Sequence, residues 1–256
     1  MSFEVKMDFT QEARFVAGGH MTDLPSHMTY SSVVARDSVR LAFLLAALND
    51  VDLLAADIGN AYLNAFTKEK VHTICGTEFG RQYVGCVALI TRALYGLKSS
   101  GAAWHELFAS TLSDLDFKSC LADPDVWLRP AVKVSGETYY EYIFVYVDDL
   151  LVLSEDPGKI MAVISQCYRL KNDSIQKPKT YLGAEIKEYR HPHDPTRTMW
   201  SMSADQYIKD ALRNLDCSLY NMGKRLPTKV TTPLSSNYRP ELDVSDYLDD
   251  DFTRFF

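Results

Sequence analysis

Two apolar runs, residues 142–147 and 150–153, are rich in β-branched and aromatic side chains and flank two adjacent carboxylates, Asp148 and Asp149. Such runs read as strands, and the simplest geometry joins them in a tight hairpin with the acidic pair at its tip. The same patterning predicts further elements on either side. Residues 9–17 and 31–35 read as short strands in a turn-rich region. Residues 36–49 read as a helix capped by Asp37, with Val39, Ala42, Phe43, Ala46 and Ala47 at helical spacing. That helix is apolar nearly all round, which predicts burial. Residues 51–58 form an apolar strand ending on Asp57, and Gly59-Asn60 turns the chain toward Tyr62.

Residues 87–97 read as strand and turn, leading into a helix over 102–116 with Ser99 or Ser100 as its cap and Ala103, Leu107, Thr111 and Leu115 in line. Residues 126–134 and 139–146 read as strands paired across Ser135-Gly136. A helix over 156–170 carries Pro157 at its first position and a face of Ile160, Val163, Ile164 and Cys167. Two strands, 180–187 and 198–202, enclose a polar loop at 189–197, and a last helix, 203–215, starts at Ser203. From Asn221 onward the chain turns to Pro, Ser, Asn and acids, the composition of a linker. The order of elements predicts an α+β fold: an antiparallel sheet with helices on one face, bringing Asp57 beside the hairpin tip.

With 256 residues and 46% apolar content the chain can bury a substantial core. The longest apolar candidate, residues 39–48, is half the roughly 20 residues that a membrane span requires. The N-terminal stretch carries no signal-peptide pattern, so an intracellular setting without a membrane partner is expected. Five scattered cysteines without a Cys-x-x-Cys pair indicate neither disulfides nor zinc. His191 and His193 flank a proline in a polar loop and read as a solvated turn. The net charge of −7 argues against a generic nucleic-acid binder, but residues 237–256 contribute −4 of it (six acids, two arginines), leaving −3 on the other 236 residues.

The candidate chemistry rests on carboxylates. Asp-Asp at a hairpin tip is by itself commonly a turn device; here neither Gly nor Asn accompanies it, and a cation is a reason to keep two like charges together. Asp57 admits two readings of equal weight, a cation ligand or a cap for residues 59–65. Tyr62 alone is an ordinary half-buried aromatic. Lys98, close to a helix N-terminus, is either an anion contact or a solvated lysine.

Several motifs in order resemble one family, the reverse transcriptases of copia-type retrotransposons. They are residues 6–10 with 13–20, residues 29–34 with 36–40, residues 56–64 around Asp57, and residues 93–98 through Ala103-Trp104. Tyr146-Val147-Asp148-Asp149, Ala122-Asp123-Pro124-Asp125 and Tyr181-Leu182-Gly183 complete the series. The resemblance spans about residues 6–236. It implies a polymerase-type palm, with partial fingers over 1–35 and palm over 36–220 including intervening fingers elements and a small thumb-proximal end. A linker or acidic tail, 221–256, would lead toward a ribonuclease H region that the chain lacks.

The resemblance further implies RNA-directed DNA polymerase activity on an RNA or DNA template-primer with deoxynucleoside triphosphates, inside a polyprotein carrying integrase and ribonuclease H. Asp57, Asp148 and Asp149 would hold two Mg²⁺ ions (Mn²⁺ as a substitute), about 3.5–4 Å apart in such sites, and the Ile58 carbonyl would add a ligand. Arg14 and Lys98 would meet the triphosphate. Tyr62 would be the steric gate against a 2′-hydroxyl, Tyr95 and Gly96 would pack close to nucleotide and template, and Tyr181, Leu182 and Gly183 would form the primer grip. Two departures from the family point elsewhere. The chain begins inside the fingers, and Glu12 stands where the family carries Lys or Arg. They favour a second reading, a catalytically inactive remnant that keeps the palm fold and weak nucleic-acid binding. An unrelated metal-dependent phosphotransferase or nuclease would explain the acids but neither Tyr62 nor residues 95–98.

Overall fold

A computed structural model describes residues 2–5, 11–171 and 174–226. The chain divides into two units, one to Gln206 and one from Tyr207. In the first, strands β1 (Ser2–Val5) and β2 (Gln11–Arg14) form an antiparallel pair. Helix α1 (Arg36–Asn49) leads to β3 (Asp52–Asp57), then α2 (Ala61–Asn64) and the hairpin of β4 (Phe66–Ile74) and β5 (Val87–Arg92). Helix α3 (Ser100–Asp114) precedes β6 (Lys118–Ser119), β7 (Val126–Val132), β8 (Thr138–Tyr146) and β9 (Asp149–Ser154). Helix α4 (Pro157–Cys167) is followed by β10 (Thr180–Tyr181), β11 (Ala184–His191) and β12 (Asp194–Ser203). Helix α5 (Asp205–Asn221) makes up most of what is described of the second unit. The fold is mixed α and β with antiparallel sheets throughout.

The five-stranded sheet, in the order β3-β9-β8-β7-β6, positions the acids. Its central strands are apolar on both sides, because each strand alternates between two cores. Ala56, Ile143, Val145, Leu150 and Val152 pack under Trp104, Phe108 and Leu112 of α3 and Ile160, Met161 and Ile164 of α4. Leu53, Phe144, Leu151 and Leu153 pack on the other side, with Val39, Ala42, Phe43 and Ala46 of α1 and with Tyr181 and Ile186 of the small sheet β10-β11-β12. Helices therefore cover both faces, not one. An apolar run such as 150–153 is what a doubly covered strand needs, and it does not say how many helices lie on each side.

Several local expectations change. Helix α1 is buried on one stripe only; Leu41, Leu44 and Leu48 are exposed. Its N-cap position is Ala35, not Asp37, and the cap comes from 88 residues away: Asp123 Oδ2 accepts from the Ala35 amide (2.9 Å) and the Ser38 hydroxyl (2.5 Å). Residues 31–35 form no strand, although Val34 donates to the Val145 carbonyl at 3.0 Å. The buried stripe of α3 is Ser100, Trp104, Phe108 and Leu112, one residue off the expected line. In α4 the inward residues are Ile160, Met161 and Ile164, while Cys167 is exposed. The region expected as a polar loop at 189–197 is mostly strand, since β11 and β12 pair from Glu185↔Ser203 to His191↔Asp194. Residues 6–10 and the tail from 227 lie outside the described residues.

Candidate active site

The hairpin turn is shifted by one residue from the expectation. Tyr146 pairs with Asp149, so the two turn residues are Val147 and Asp148, and Asp149 opens strand β9. Val147 sits at φ 58°, a left-handed conformation that a β-branched residue adopts only under constraint. Glycine is the usual occupant of such a position. The constraint is visible: the Trp104 indole of α3 donates to the Val147 carbonyl at 2.8 Å, and the Ile58 amide donates to the Asp148 carbonyl at 2.8 Å.

Strand β3 lies at the edge of the sheet and pairs with β9 from Asp52↔Ser154 to Asp57↔Asp149. Asp57 and Asp149 are therefore direct neighbours across two antiparallel strands, with Asp148 one residue into the turn. Asp57 does not cap the segment that follows. The N-cap position of α2 is Asn60, at φ 53° and without a side-chain bond, so of the two readings of Asp57 the cap is excluded.

Beyond β3, residues 169–171 and 174–176 lie along its open edge. The Gly59 amide donates to the Arg169 carbonyl and the Lys171 amide to the Asp57 carbonyl, each at 2.8 Å, and Ala55 bridges to Gln176. Two side chains of this segment reach Asp57: its amide donates to Ser174 Oγ at 3.2 Å, and Lys171 Nζ lies 2.6 Å from its Oδ2. Neither was singled out by the sequence, because no motif marks the stretch and its pairing to β3 is long-range. Asp57 Oδ1 is buried without a hydrogen-bond partner.

The electrostatics reflect crowding. Burial first, then the charges of Asp148 and Asp57, push the Asp149 carboxyl up to about 6, against the opposing pull of Lys171. Partial burial disfavours the Lys171 ammonium, but its hydrogen bond to Asp57 and the charges of all three aspartates outweigh this and raise its pKa.

Asp57 and Asp149 border a cavity of about 410 Å³ that Ser174, Lys179, Tyr181, Leu182 and Gly183 also line. Tyr181 closes β10, and Leu182 (φ 48°) and Gly183 (φ 77°) make the turn into β11. Tyr181 is 5% exposed, its hydroxyl is buried without a partner, and burial and the Asp149 charge push its pKa up. The structure thus brings residues 181–183 to the acids.

Tyr62 stands on α2, its ring 4.9 Å from that of Tyr95. Burial and the nearby Asp148 charge raise its hydroxyl pKa. Gly96 (φ 90°) does allow a close backbone approach, but to this chain's own segment: a Cβ there would strike the Ala17 carbonyl, and the Ala17 amide donates to Tyr95 O at 2.7 Å. Lys98 Nζ donates to the Thr22 carbonyl at 2.8 Å, a backbone tether rather than a solvated position. Ile58 is fully buried. Arg14 ends β2, and its side chain lies outside the described residues.

Oxygen donors of this kind suit a hard divalent cation, and the orphaned Asp57 Oδ1 and the crowded Asp149 carboxyl both fit one. As the side chains stand, no group of three His, Cys, Asp or Glu among the described residues is arranged around a single ion position. No described helix is long and apolar enough to cross a membrane.

Comparison with known proteins gives this geometry a family. The model of the family described as reverse transcriptase (RNA-dependent DNA polymerase) matches residues 3–222. The chain is 26% identical over 216 residues to the retrovirus-related Pol polyprotein from transposon TNT 1-94 of Nicotiana tabacum, covering 82% of this chain and 15% of that protein. It is 28% identical over 261 aligned positions to the transposon Ty1-BR Gag-Pol polyprotein of Saccharomyces cerevisiae, covering 96% of this chain and 14% of that protein. A truncated transposon Ty1-A Gag-Pol polyprotein is 27% identical, with 88% of this chain and 18% of that protein aligned. The chain thus spans about one sixth of the length of the relatives it matches. No solved structure matches it. A match running through β3, the acidic hairpin and the 181–183 turn means that the chain belongs to the reverse transcriptase (RNA-dependent DNA polymerase) family, among its copia-type retrotransposon members.

Proposed function

We propose that this chain is an RNA-directed DNA polymerase domain, a nucleotidyltransferase that extends a primer on an RNA or DNA template with deoxynucleoside triphosphates. The observation that carries this reading is the β3–β9 register, which sets Asp57 opposite Asp149 with Asp148 in the adjoining turn. Asp57, Asp148 and Asp149 are the residues that would hold two divalent cations, Mg²⁺ or in its place Mn²⁺, with the Ile58 carbonyl as a further oxygen. Such ions, when bound, activate the primer 3′-hydroxyl and neutralise the leaving pyrophosphate.

The remaining assignments concern this chain's own groups. Tyr62, braced by Tyr95, excludes a 2′-hydroxyl from the sugar position. Tyr181, Leu182 and Gly183, which line the same cavity as Asp57 and Asp149, hold the primer end. Arg14 and Lys98 serve the triphosphate, Lys98 after releasing the Thr22 carbonyl, and Gly96 keeps the Tyr95 turn tight against residues 16–19. In this reading residues 1–35 are fingers, 36–220 palm and thumb-proximal chain, and 221–256 a connection toward ribonuclease H in a polyprotein that also carries integrase.

A second reading, a remnant that binds nucleic acid without catalysis, gains a structural observation beside Glu12: Lys171 lies on Asp57 Oδ2, where a cation ligand would be needed. Primer extension on an RNA template separates the two. Extension by the purified chain that disappears in Asp148→Ala supports the polymerase. Binding of the primer-template with no extension in Mg²⁺ or Mn²⁺ supports the remnant.

A further inference from the structure

The cation nearest the acidic triad is one the chain supplies itself. Lys171 Nζ lies 2.6 Å from Asp57 Oδ2, and Asp57, Asp148 and Asp149 all act on its ammonium. Its root is fixed: the Lys171 amide donates to the Asp57 carbonyl, and two residues earlier the Arg169 carbonyl accepts from Gly59. Its head is not, because the side chain is 48% exposed and rides on a flexible four-carbon stem. Asp57 is also split in its partners, with Oδ2 on Lys171 and Oδ1 buried and unpaired. A divalent ion held by the same carboxylates repels an ammonium that rests 2.6 Å from one of their oxygens. Like charges drawn together by the β3–β9 register need a counter-ion whichever of the two supplies it.

We propose that Lys171 is a built-in counter-cation that competes with divalent metal for the charge of Asp57, so that metal entry drives the lysine head off Oδ2 toward water. The inference rests on the metal-binding reading of the three aspartates. In the lysine-closed state the acids are kept in place without metal, and the apparent metal affinity is lowered by the cost of breaking the ion pair.

The test is Mn²⁺ binding to the full chain, followed by the electron paramagnetic resonance of free Mn²⁺, in wild type, Lys171→Met, Lys171→Gln and Lys118→Met. Lys118 lies on β6, at the opposite edge of the sheet, and controls for loss of one positive charge. Both Lys171 variants should bind Mn²⁺ about three- to fivefold more tightly, the scale of a partly exposed ion pair, with Lys118→Met unchanged. Thermal unfolding in chelator should show both Lys171 variants about 2–3 °C less stable than wild type, since the acids lose their counter-ion. Mn²⁺ affinity that is unchanged or weaker in the Lys171 variants, while wild type binds, overturns the competition and leaves the polymerase reading standing. Failure of every protein to bind Mn²⁺ overturns both. An equal gain in Lys118→Met overturns the specific role of Lys171 and reduces the effect to net charge.

Discussion

Tyr62 is the residue at which structure sharpens the chemistry most. Its ring is held against Tyr95, so the gate proposed for Tyr62 is braced on that side, and close-packed sites tolerate extra atoms poorly. Tyr62→Val should therefore raise ribonucleotide incorporation with smaller loss toward deoxynucleotides. The ratio of kcat/KM for the two sugars should fall by up to about a thousandfold, roughly 4 kcal/mol of discrimination. An unchanged ratio would leave Tyr62 as a packing residue. His105 supports a second residue-scale prediction. Its Nε2 lies 2.8 Å from Oδ1 of Asp125, which is 1% exposed, and that hydrogen bond raises the His105 pKa against the opposing effect of burial. A folded-state pKa above the unfolded value stabilises fully below about pH 6.5, and the gain is lost as pH rises through the folded value. His105→Gln should thus cost more stability at pH 5.5 than at pH 8.5 in urea titrations. Equal costs at both pH values would mean that the pair carries no proton-linked stability.

Among elements, the acidic hairpin shows how a site is braced from outside. A two-residue turn with Val147 left-handed is unfavourable alone, yet Trp104 of α3 and Ile58 at the end of β3 each bond a turn carbonyl. Helix α1 is organised in the same way, since Asp123 caps it from the turn before β7. Asp123→Ala should cost about 1 kcal/mol, the usual worth of an N-cap, and Asp37→Ala much less, because among the described residues Asp37 pairs with exposed Arg40. Chemical denaturation of the two variants checks this, and a larger cost at Asp37 would put the cap where the helix sequence alone suggests it.

At the scale of the whole molecule, the five-stranded sheet separates two cores that share only its strands. Ile164 lies in the core under α3 and α4, and Val39 in the core under α1; both are fully buried. Ile164→Val should cost about 1 kcal/mol and Val39→Ala roughly 2 kcal/mol. Since the two residues lie in separate clusters on opposite sides of the sheet, the double variant should cost their sum within about 0.5 kcal/mol in equilibrium unfolding. A clear departure from additivity would mean that the cores communicate through β8 and β9.

What the sequence determined by itself was local and repetitive. The span of α1, the strand ending on Asp57, the pairing of 139–146 with the run after the acids and the Pro157 start of α4 all follow from apolar period and turn chemistry, which neighbouring residues carry. The motif order around Asp57, Asp148-Asp149 and 181–183 carried the family as well. Tertiary structure decided whatever depends on partners distant in the chain. Capping of α1 by Asp123, the left-handed Val147, the placing of helices on both sheet faces and the laying of residues 169–171 and 174–176 along β3 are settled by contacts across 40 to more than 100 positions. Lys171 belongs to this second class. A lone lysine after a helix carries no periodicity, and only the folded edge of β3 brings its ammonium to the carboxylates, where charge repulsion gives it a purpose.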